Sequence, residues 1–429
     1  MQNQILLKAK TPFFCNVLAH AVFIMMAAIL SALLFLSSPP LYAKSADNIF
    51  DYDQIIAELT TITEIAAPPF KEQKRAAYMA EQFRKIGLTD VKIDEEGNVT
   101  GIMSGKKKDE FMVVSAHLDT VFPEDTPIKV MRKDNRLYAP GIGDDSVGLT
   151  AILAYARQLK QQNIKTNRSI LFVATVGEEG QGDLRGARYL MQRGEYKDRI
   201  KGFISIDGSD NNRITHIAVG SRRYRLIFKG PGGHSYGAFG IVAPMAAMGD
   251  FISRLYLIDT PGNPKTTYSA SVVSGGTSVN TIADSIALEI DMRSSGPEEL
   301  KQLEERVFKD LEGAILAENA ARDTSLGKVS VEIILIGDRP AGSIPLTNGM
   351  IMAIGNSLSA HGYVPQYNAS STDSNIAIAM NIAAVTIGVG AGGGRAHSAE
   401  EYLNVEKEPL LKGFVAGYDS IIAAANAQY

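Results

Sequence analysis

Five side chains of types that bind divalent metals lie at the ends of apolar segments or in glycine-rich loops. Open α/β sheets bind ligands at the carboxyl ends of their strands, so these side chains are expected to meet at one edge of a sheet. Clustered carboxylates repel one another and are costly to bury, and a divalent cation offsets that cost. Imidazole and carboxylate together are a ligand set that zinc accepts. The candidate ligands are His117, Asp144, Glu179, Asp207 and His397.

The segment Gly-Glu-Glu-Gly at 177–180 is the most specific of these signals. Two adjacent glutamates between glycines, directly after an apolar run, do little for stability. One of them can bind metal while its neighbour holds the attacking water as general base. The alternative is a pair of solvated loop charges.

The other candidate ligands have plausible structural roles as well. Asp119 follows His117 by two residues, so it can accept the other ring N–H and fix the tautomer, or the two can be a turn aspartate and a core histidine. Asp144 has two oxygens that can bridge two metals, or it can cap the helix that follows. His397 ends a loop rich in glycine, and its neighbours Glu400 and Glu401 are expected to be solvated.

The elements that must position these residues alternate between apolar runs and helical patterns. The runs 111–116, 170–176, 203–206 and 383–387 read as buried strands, and helical spacing recurs between them. Continuous apolar strands alternating with helices predict an α/β fold with a doubly wound, mostly parallel sheet.

The middle of the chain follows a different order. Strand and helix patterns between 224 and 336 give the order βαββαβ, the split, ferredoxin-like arrangement. We therefore predict that residues 219–338 form an inserted α+β lid and dimerisation domain. The catalytic domain would then comprise residues 48–218 and 339–429.

Composition limits the classes of function. A chain of 429 residues with a formal net charge of −4 lacks the excess of positive charge that binds nucleic acid, so no nucleic-acid partner is expected.

Residues 1–43 have the layout of a signal peptide, with two lysines before an apolar run and cleavage expected after Ala43. The protein is therefore expected to be exported, to the periplasm or beyond. The alternative is a membrane anchor formed by residues 17–36.

The motifs together resemble a known family of dinuclear zinc hydrolases. It includes peptidase T, bacterial glutamate carboxypeptidase, aminoacylase and succinyl-diaminopimelate desuccinylase, and the resemblance covers nearly all of the chain after residue 50. It implies that Asp144 bridges two zinc ions, for which Co²⁺ or Mn²⁺ can substitute, and that a non-proline cis peptide bond follows Asp144. It assigns one ion to His117 and Asp207, the other to Glu179 and His397, and the role of general base to Glu178. The motifs are His-Leu-Asp-Thr-Val at 117–121, Gly-Asp-Asp at 143–145, Gly-Glu-Glu-Gly at 177–180, Asp207 and Ala-His-Ser at 396–398.

The middle segment resembles the same family. Gly-Gly-His-Ser at 232–235 resembles a motif whose histidine reaches the partner subunit's site in a homodimer and stabilises the oxyanion, which implies this role for His234. Asn280 and Arg293 resemble substrate-binding residues, and the arginine would hold a substrate carboxylate. The family usually has proline where this chain has Ala283, which weakens the assignment of Asn280.

Three functions fit these residues. The first is a peptidase acting on di- or tripeptides or on a terminal residue. The second is an N-acyl amino acid deacylase with the same metals. The third is an inactive binding relative, which the retention of every ligand and of the base disfavours. The segments 143–146 and 371–375 look closer to the peptidase T-like members, so a small peptide is the expected substrate.

Overall fold

Apolar strands and the helices between them build a nine-stranded mixed sheet in the computed structural model, which describes residues 49–429. The predicted signal peptide at 1–43 lies outside the described residues. Within 49–429, no helix is both long enough and apolar enough to cross a bilayer. The helices are α1 (Tyr52–Thr63), α2 (Gln73–Ile86), α3 (Val147–Gln161), α4 (Arg185–Gln192), α5 (Pro244–Leu255), α6 (Pro297–Ala321), α7 (Gly349–Ala360), α8 (Ser374–Ala379) and α9 (Lys407–Asn426).

Within residues 49–429 the strands form four sheets. In chain order they are β1 (Thr89–Ile93), β2 (Val99–Met103), β3 (Lys107–His117), β4 (Met131–Lys133), β5 (Arg136–Tyr138), β6 (Arg168–Thr175), β7 (Ile200–Ile206), β8 (Arg213–Ala218), β9 (Gly220–Lys229), β10 (Gly233–His234), β11 (Thr266–Gly275), β12 (Thr281–Ile282), β13 (Ser285–Ser294), β14 (Ser330–Arg339), β15 (Gly342–Ser343), β16 (Gln366–Ser370), β17 (Ala383–Ile387), β18 (Gly393–Gly394) and β19 (Tyr402–Asn404).

The central sheet has the strand order β1-β2-β6-β3-β7-β17-β8-β15, with β16 paired to β8. Its middle strands β6, β3, β7 and β17 are parallel, and the outer strands add antiparallel pairs. Every residue of β6 and of β17 is buried, because helices cover both faces of the sheet. The prediction of a mostly parallel α/β sheet is confirmed.

Local hydrogen bonding and backbone conformation set the ends of α1 and α2, two of the helices that cover the sheet. Asp51 caps α1, its side chain accepting a hydrogen bond from the Gln54 amide at 3.1 Å. Helix α2 ends at Gly87, whose φ of +83° is a left-handed conformation that favours glycine. Helix α3 is buried along most of its length and packs on β3. Its packing fixes the segment that carries Asp144 beside the strand that ends at His117.

The middle of the chain forms a four-stranded antiparallel sheet of order β11-β13-β9-β14. Helices α5 and α6 pack on it, and the elements follow in the order β–α–β–β–α–β. An apolar cluster that includes Leu226, Phe251 and Val307 fills the space between sheet and helices. That residues 219–338 act as a separate lid and dimerisation domain stays a prediction.

Candidate metal centre

Two parallel strands carry the first two candidate ligands to the same edge of the central sheet. His117 is the last residue of β3, and Asp207 follows the last residue of β7, the neighbouring strand. The backbone N–H of Asp207 donates to the carbonyl of Ile387 at 2.9 Å, which ties it to β17. Parallel pairing therefore places an imidazole and a carboxylate side by side, as the sequence predicted.

Asp144 lies between the two histidines. Its Oδ1 is 2.9 Å from His117 Nε2, and its Oδ2 is 3.1 Å from His397 Nε2. The peptide bond between Asp144 and Asp145 is cis. Burial by itself would raise the pKa of Asp144, but the hydrogen bonds from the two histidines hold that pKa below its usual range. Each oxygen of this carboxylate thus faces a different histidine.

His397 reaches the cluster from the glycine-rich loop. Its Nε2 is also 2.9 Å from Glu179 Oε1, and its own φ is +62°. Hydrogen bonds to Asp144 and Glu179 raise the pKa of His397 to about 10, so this half-exposed part of the cluster attracts positive charge, as a proton or as a metal ion.

The donor atoms fall into groups that fit two cations. His117, Asp144 and Asp207 offer atoms that lie within 4.8 Å of one another, and so do Asp144, Glu179 and His397. Asp144 belongs to both groups. Burial, followed by the charge of Asp144, raises the pKa of Asp207, which is the cost of an uncompensated buried carboxylate. Divalent ions in the two groups would offset this cost, so the donor set fits the predicted pair of metals.

Asp119 holds the loop that carries both glutamates. Its carboxylate accepts hydrogen bonds from the backbone N–H groups of Glu178 at 3.0 Å and Glu179 at 2.8 Å. Asp119 also accepts the ring N–H of His117, as the spacing suggested, but through its backbone: His117 Nδ1 lies 2.9 Å from the Asp119 carbonyl oxygen and 3.7 Å from the carboxylate. A carbonyl oxygen can only accept, so this contact places a proton on Nδ1.

Arg339, at the end of β14, contacts the predicted general base and was not foreseen. Its Nη1 donates to Glu178 Oε1 at 3.1 Å and to Ser371 Oγ at 3.2 Å, and its Nη2 donates to the Glu178 carbonyl. Burial raises the pKa of Glu178 well above its usual range, an effect that the Arg339 charge opposes and the Glu179 charge strengthens. An arginine before a proline carries no spacing signal, so the sequence did not point to it.

Glu401 also differs from expectation, because it is buried rather than solvated. Its carboxylate accepts hydrogen bonds from the backbone N–H groups of Gly141, Gly143 and Asp144 at 2.7–2.9 Å. These contacts fix the backbone that presents Asp144. Glu400, one residue earlier, is exposed and pairs with Arg395.

We expect Glu401→Gln to lower the free energy of unfolding by about 1–3 kcal/mol, because an amide N–H₂ would then face a buried backbone N–H. Glu400→Gln is the matched control and should change it by less than about 0.5 kcal/mol. Urea unfolding of the two variants and the parent protein measures both effects. Equal transition midpoints for the two variants would show that Glu401 does not hold this segment.

The candidate ligands open onto a cavity of about 520 Å³. Asp144, Glu178, Glu179, Asp207 and His397 line it. Arg293 from β13 lines it as well, and its role in binding substrate stays a prediction. Three further arginines line the same cavity, namely Arg213, Arg223 and Arg339.

His234 and Asn280 are not among the residues that line this cavity. They lie together at the antiparallel pair of β10 and β12, where the Ser235 N–H donates to the Asn280 carbonyl at 2.9 Å. His234 is exposed, and its Nδ1 accepts from the backbone N–H groups of Tyr236 and Gly237. The structure therefore brings Arg293 to the candidate metal ligands of its own chain but does not bring these two residues there.

Comparison with known proteins gives a consistent assignment. The sequence model described as peptidase family M20/M25/M40 matches residues 113–421. A tripeptidase of Staphylococcus aureus is 24% identical, with a TM-score of 0.72 over 87% of this chain and 99% of that one. Aminopeptidase PepT of Bacillus cereus is 20% identical, with a TM-score of 0.70 over 87% and 100%. A probable succinyl-diaminopimelate desuccinylase of Staphylococcus aureus is 24% identical over 89% of this chain and 98% of its own length.

Proposed function

Because the chain belongs to peptidase family M20/M25/M40 and is thus a hydrolase of peptide or amide bonds, we propose that it is a dinuclear zinc peptidase. Its substrates would be small peptides. It would hydrolyse di- or tripeptides or remove a terminal residue from a peptide. The observation that carries the proposal is the sharing of Asp144 between two groups of candidate ligands, beside a buried glutamate and at the base of a cavity.

The proposed ligands divide around Asp144. His117 and Asp207 would hold one ion, Glu179 and His397 would hold the other, and Asp144 would serve both. Imidazole nitrogen with carboxylate oxygen suits zinc, and Co²⁺ or Mn²⁺ are accepted by similar donors. When bound there, the ions supply Lewis-acid chemistry that polarises the scissile carbonyl and lowers the pKa of water.

Glu178 is the proposed general base. Its carboxylate lies with His117 and Glu179 in a third group of donor atoms within 4.8 Å of one another. It would take a proton from the attacking water and pass it to the nitrogen of the leaving amine. Asp119 and Arg339 hold it by its backbone N–H, backbone carbonyl and side chain, so its carboxylate is oriented before substrate arrives.

We further propose a homodimer in which His234 completes the site of the partner subunit. In support, His234 is exposed and lies outside the cavity of its own chain. The four-stranded sheet also has an edge strand, β11, with exposed Val272 and Val273. An edge strand of this kind can pair with its copy about a two-fold axis.

A deacylase acting on N-acyl amino acids is the second candidate. The relative named as a probable succinyl-diaminopimelate desuccinylase favours it, and Arg293 would bind the free carboxylate of such a substrate as readily as that of a peptide. Both reactions use the same candidate ligands and the same base.

Export is part of the proposal. It rests on the charge-free apolar run before Ala43, which would leave a mature chain beginning near Lys44 in the periplasm or outside the cell.

Metal analysis combined with a substrate panel tests the proposed function. We expect about two zinc ions per chain, hydrolysis of di- and tripeptides, loss of activity with a chelator and its return with Zn²⁺. Turnover of N-acyl amino acids without turnover of peptides would select the deacylase. Purified protein that hydrolyses neither class when loaded with metal would refute both.

A further inference from the structure

Two arginines that line the cavity share one carboxylate of the sheet formed by β11, β13, β9 and β14. Arg223 Nε donates to Asp291 Oδ1 at 3.1 Å, and Arg293 Nε donates to Asp291 Oδ2 at 2.6 Å. Both arginines line the cavity that holds the candidate metal ligands. One carboxylate therefore accepts hydrogen bonds from two guanidinium groups, and the three side chains together carry a net positive charge.

The position of Arg223 is fixed by the sheet around it. It is opposite Asp291 on β13 and opposite Gly337 on β14. A Cβ at Gly337 would lie 3.0 Å from the Cδ of Arg223, closer than ordinary van der Waals contact. The aliphatic part of the Arg223 side chain therefore packs over Gly337, where there is no side chain to obstruct it. Its side chain is 21% exposed and that of Arg293 is 41% exposed. Arg223 is thus partly buried and held in place.

The two guanidinium groups have donors left for a ligand. Among residues 49–429, their hydrogen bonds to side chains run from Nε to Asp291, which leaves the terminal N–H groups of both for the cavity. A guanidinium binds a carboxylate through two such N–H groups at once. The other arginines of the cavity are engaged elsewhere, Arg339 with Glu178 and Arg213 with the carbonyl of Asp207.

We propose that the substrate has an acidic C-terminal residue, whose α-carboxylate binds Arg293 and whose side-chain carboxylate binds Arg223. This inference rests on the proposed peptidase function and deepens it. Because Asp291 contacts both arginines, the two guanidinium groups lie close together, and the two anionic groups must be equally close. The two carboxylates of a single aspartate or glutamate meet that condition, whereas a neutral residue leaves the terminal N–H groups of Arg223 without a carboxylate to bind.

Matched dipeptides test this specificity on the metal-loaded protein. Ala-Glu is compared with Ala-Gln, and Ala-Asp with Ala-Asn, by kcat/KM. We expect the acidic member to be favoured by about tenfold to a hundredfold, the worth of a hydrogen-bonded charge pair. In Arg223→Gln the ratio should fall to near one, mainly through loss of activity on the acidic member. Arg223→Lys should keep part of the ratio, because lysine retains the charge without the two-pronged geometry.

Arg225→Gln is the matched control. Arg225 lies on the same face of β9 two residues further on and pairs with Glu289 of β13, but it does not line the cavity. This variant should keep the ratio of the parent protein. Equal hydrolysis of the acidic and neutral members by the parent protein, or an unchanged ratio in Arg223→Gln, overturns the inference while leaving the peptidase intact. If none of the di- and tripeptides of the substrate panel is cleaved either, the proposed peptidase function is wrong and the inference falls with it.

Discussion

Glu178→Gln lowers kcat by about 10²–10⁴-fold while the metal content and the fold are retained; this is the largest single effect that we expect. The amide cannot take a proton from water, and general-base catalysis contributes a factor of this size. The substitution keeps the shape of a fully buried side chain, and the amide can still accept a hydrogen bond from Arg339. Steady-state kinetics and elemental analysis of the purified variant measure the two properties separately.

Glu179→Gln provides the contrast. The two glutamates are neighbours, both buried, and both held by Asp119 through their amides, but only Glu179 contacts His397. We expect Glu179→Gln to lower the metal content together with the activity. If Glu178→Gln turns over substrate at a rate near that of the parent protein, Glu178 is not the base.

His234→Ala is expected to lower kcat by about 10²–10³-fold, the usual cost of losing one donor to the developing oxyanion. The thermal stability should hardly change, because His234 is exposed and its ring contacts are confined to its own turn. A large loss of activity from an exposed residue outside the cavity would be unexplained within a single chain. Subunit mixing tests whether the partner's site is involved.

The mixing experiment combines inactive His234→Ala protein with inactive Glu178→Gln protein under conditions of subunit exchange. Each heterodimer has one site with both groups intact and one site with neither. Each heterodimer should therefore have about half the activity of a parent dimer. Each variant taken through the same exchange alone is the control and should stay inactive. Verified heterodimers without activity would mean that His234 acts in its own chain or has no catalytic role.

The sequence predicted those parts of the site that depend on strand ends. An apolar run long enough to cross a buried sheet ends where polar residues begin, so the positions of His117 and Asp207 followed from the runs before them. Parallel pairing then brings these ends together regardless of their separation along the chain. The same reasoning gave the mostly parallel sheet, and the strand at 383–387 was predicted with the bounds that the structure has.

The parts that escaped prediction depend on contacts between distant loops. Glu401 meets Gly141 across 260 residues, and Arg339 meets Glu178 across 161. Loops have no periodicity, so nothing in the sequence distinguishes buried Glu401 from exposed Glu400. Asp119 was identified as the acceptor of the His117 ring, but a two-residue spacing does not tell whether its backbone or its side-chain oxygen is nearer.

The contact between Asp144 and His397, which are 253 residues apart, also determines when the site can form during synthesis. Chains leave the ribosome amino terminus first, and contacts between distant segments form late because a long loop must close. The loop that ends at His397 and the supporting Glu401 are translated after every strand of the central nine-stranded sheet. A nascent or truncated chain that lacks residues 397–429 therefore has only one of the two groups of candidate ligands, and we expect no hydrolysis from it.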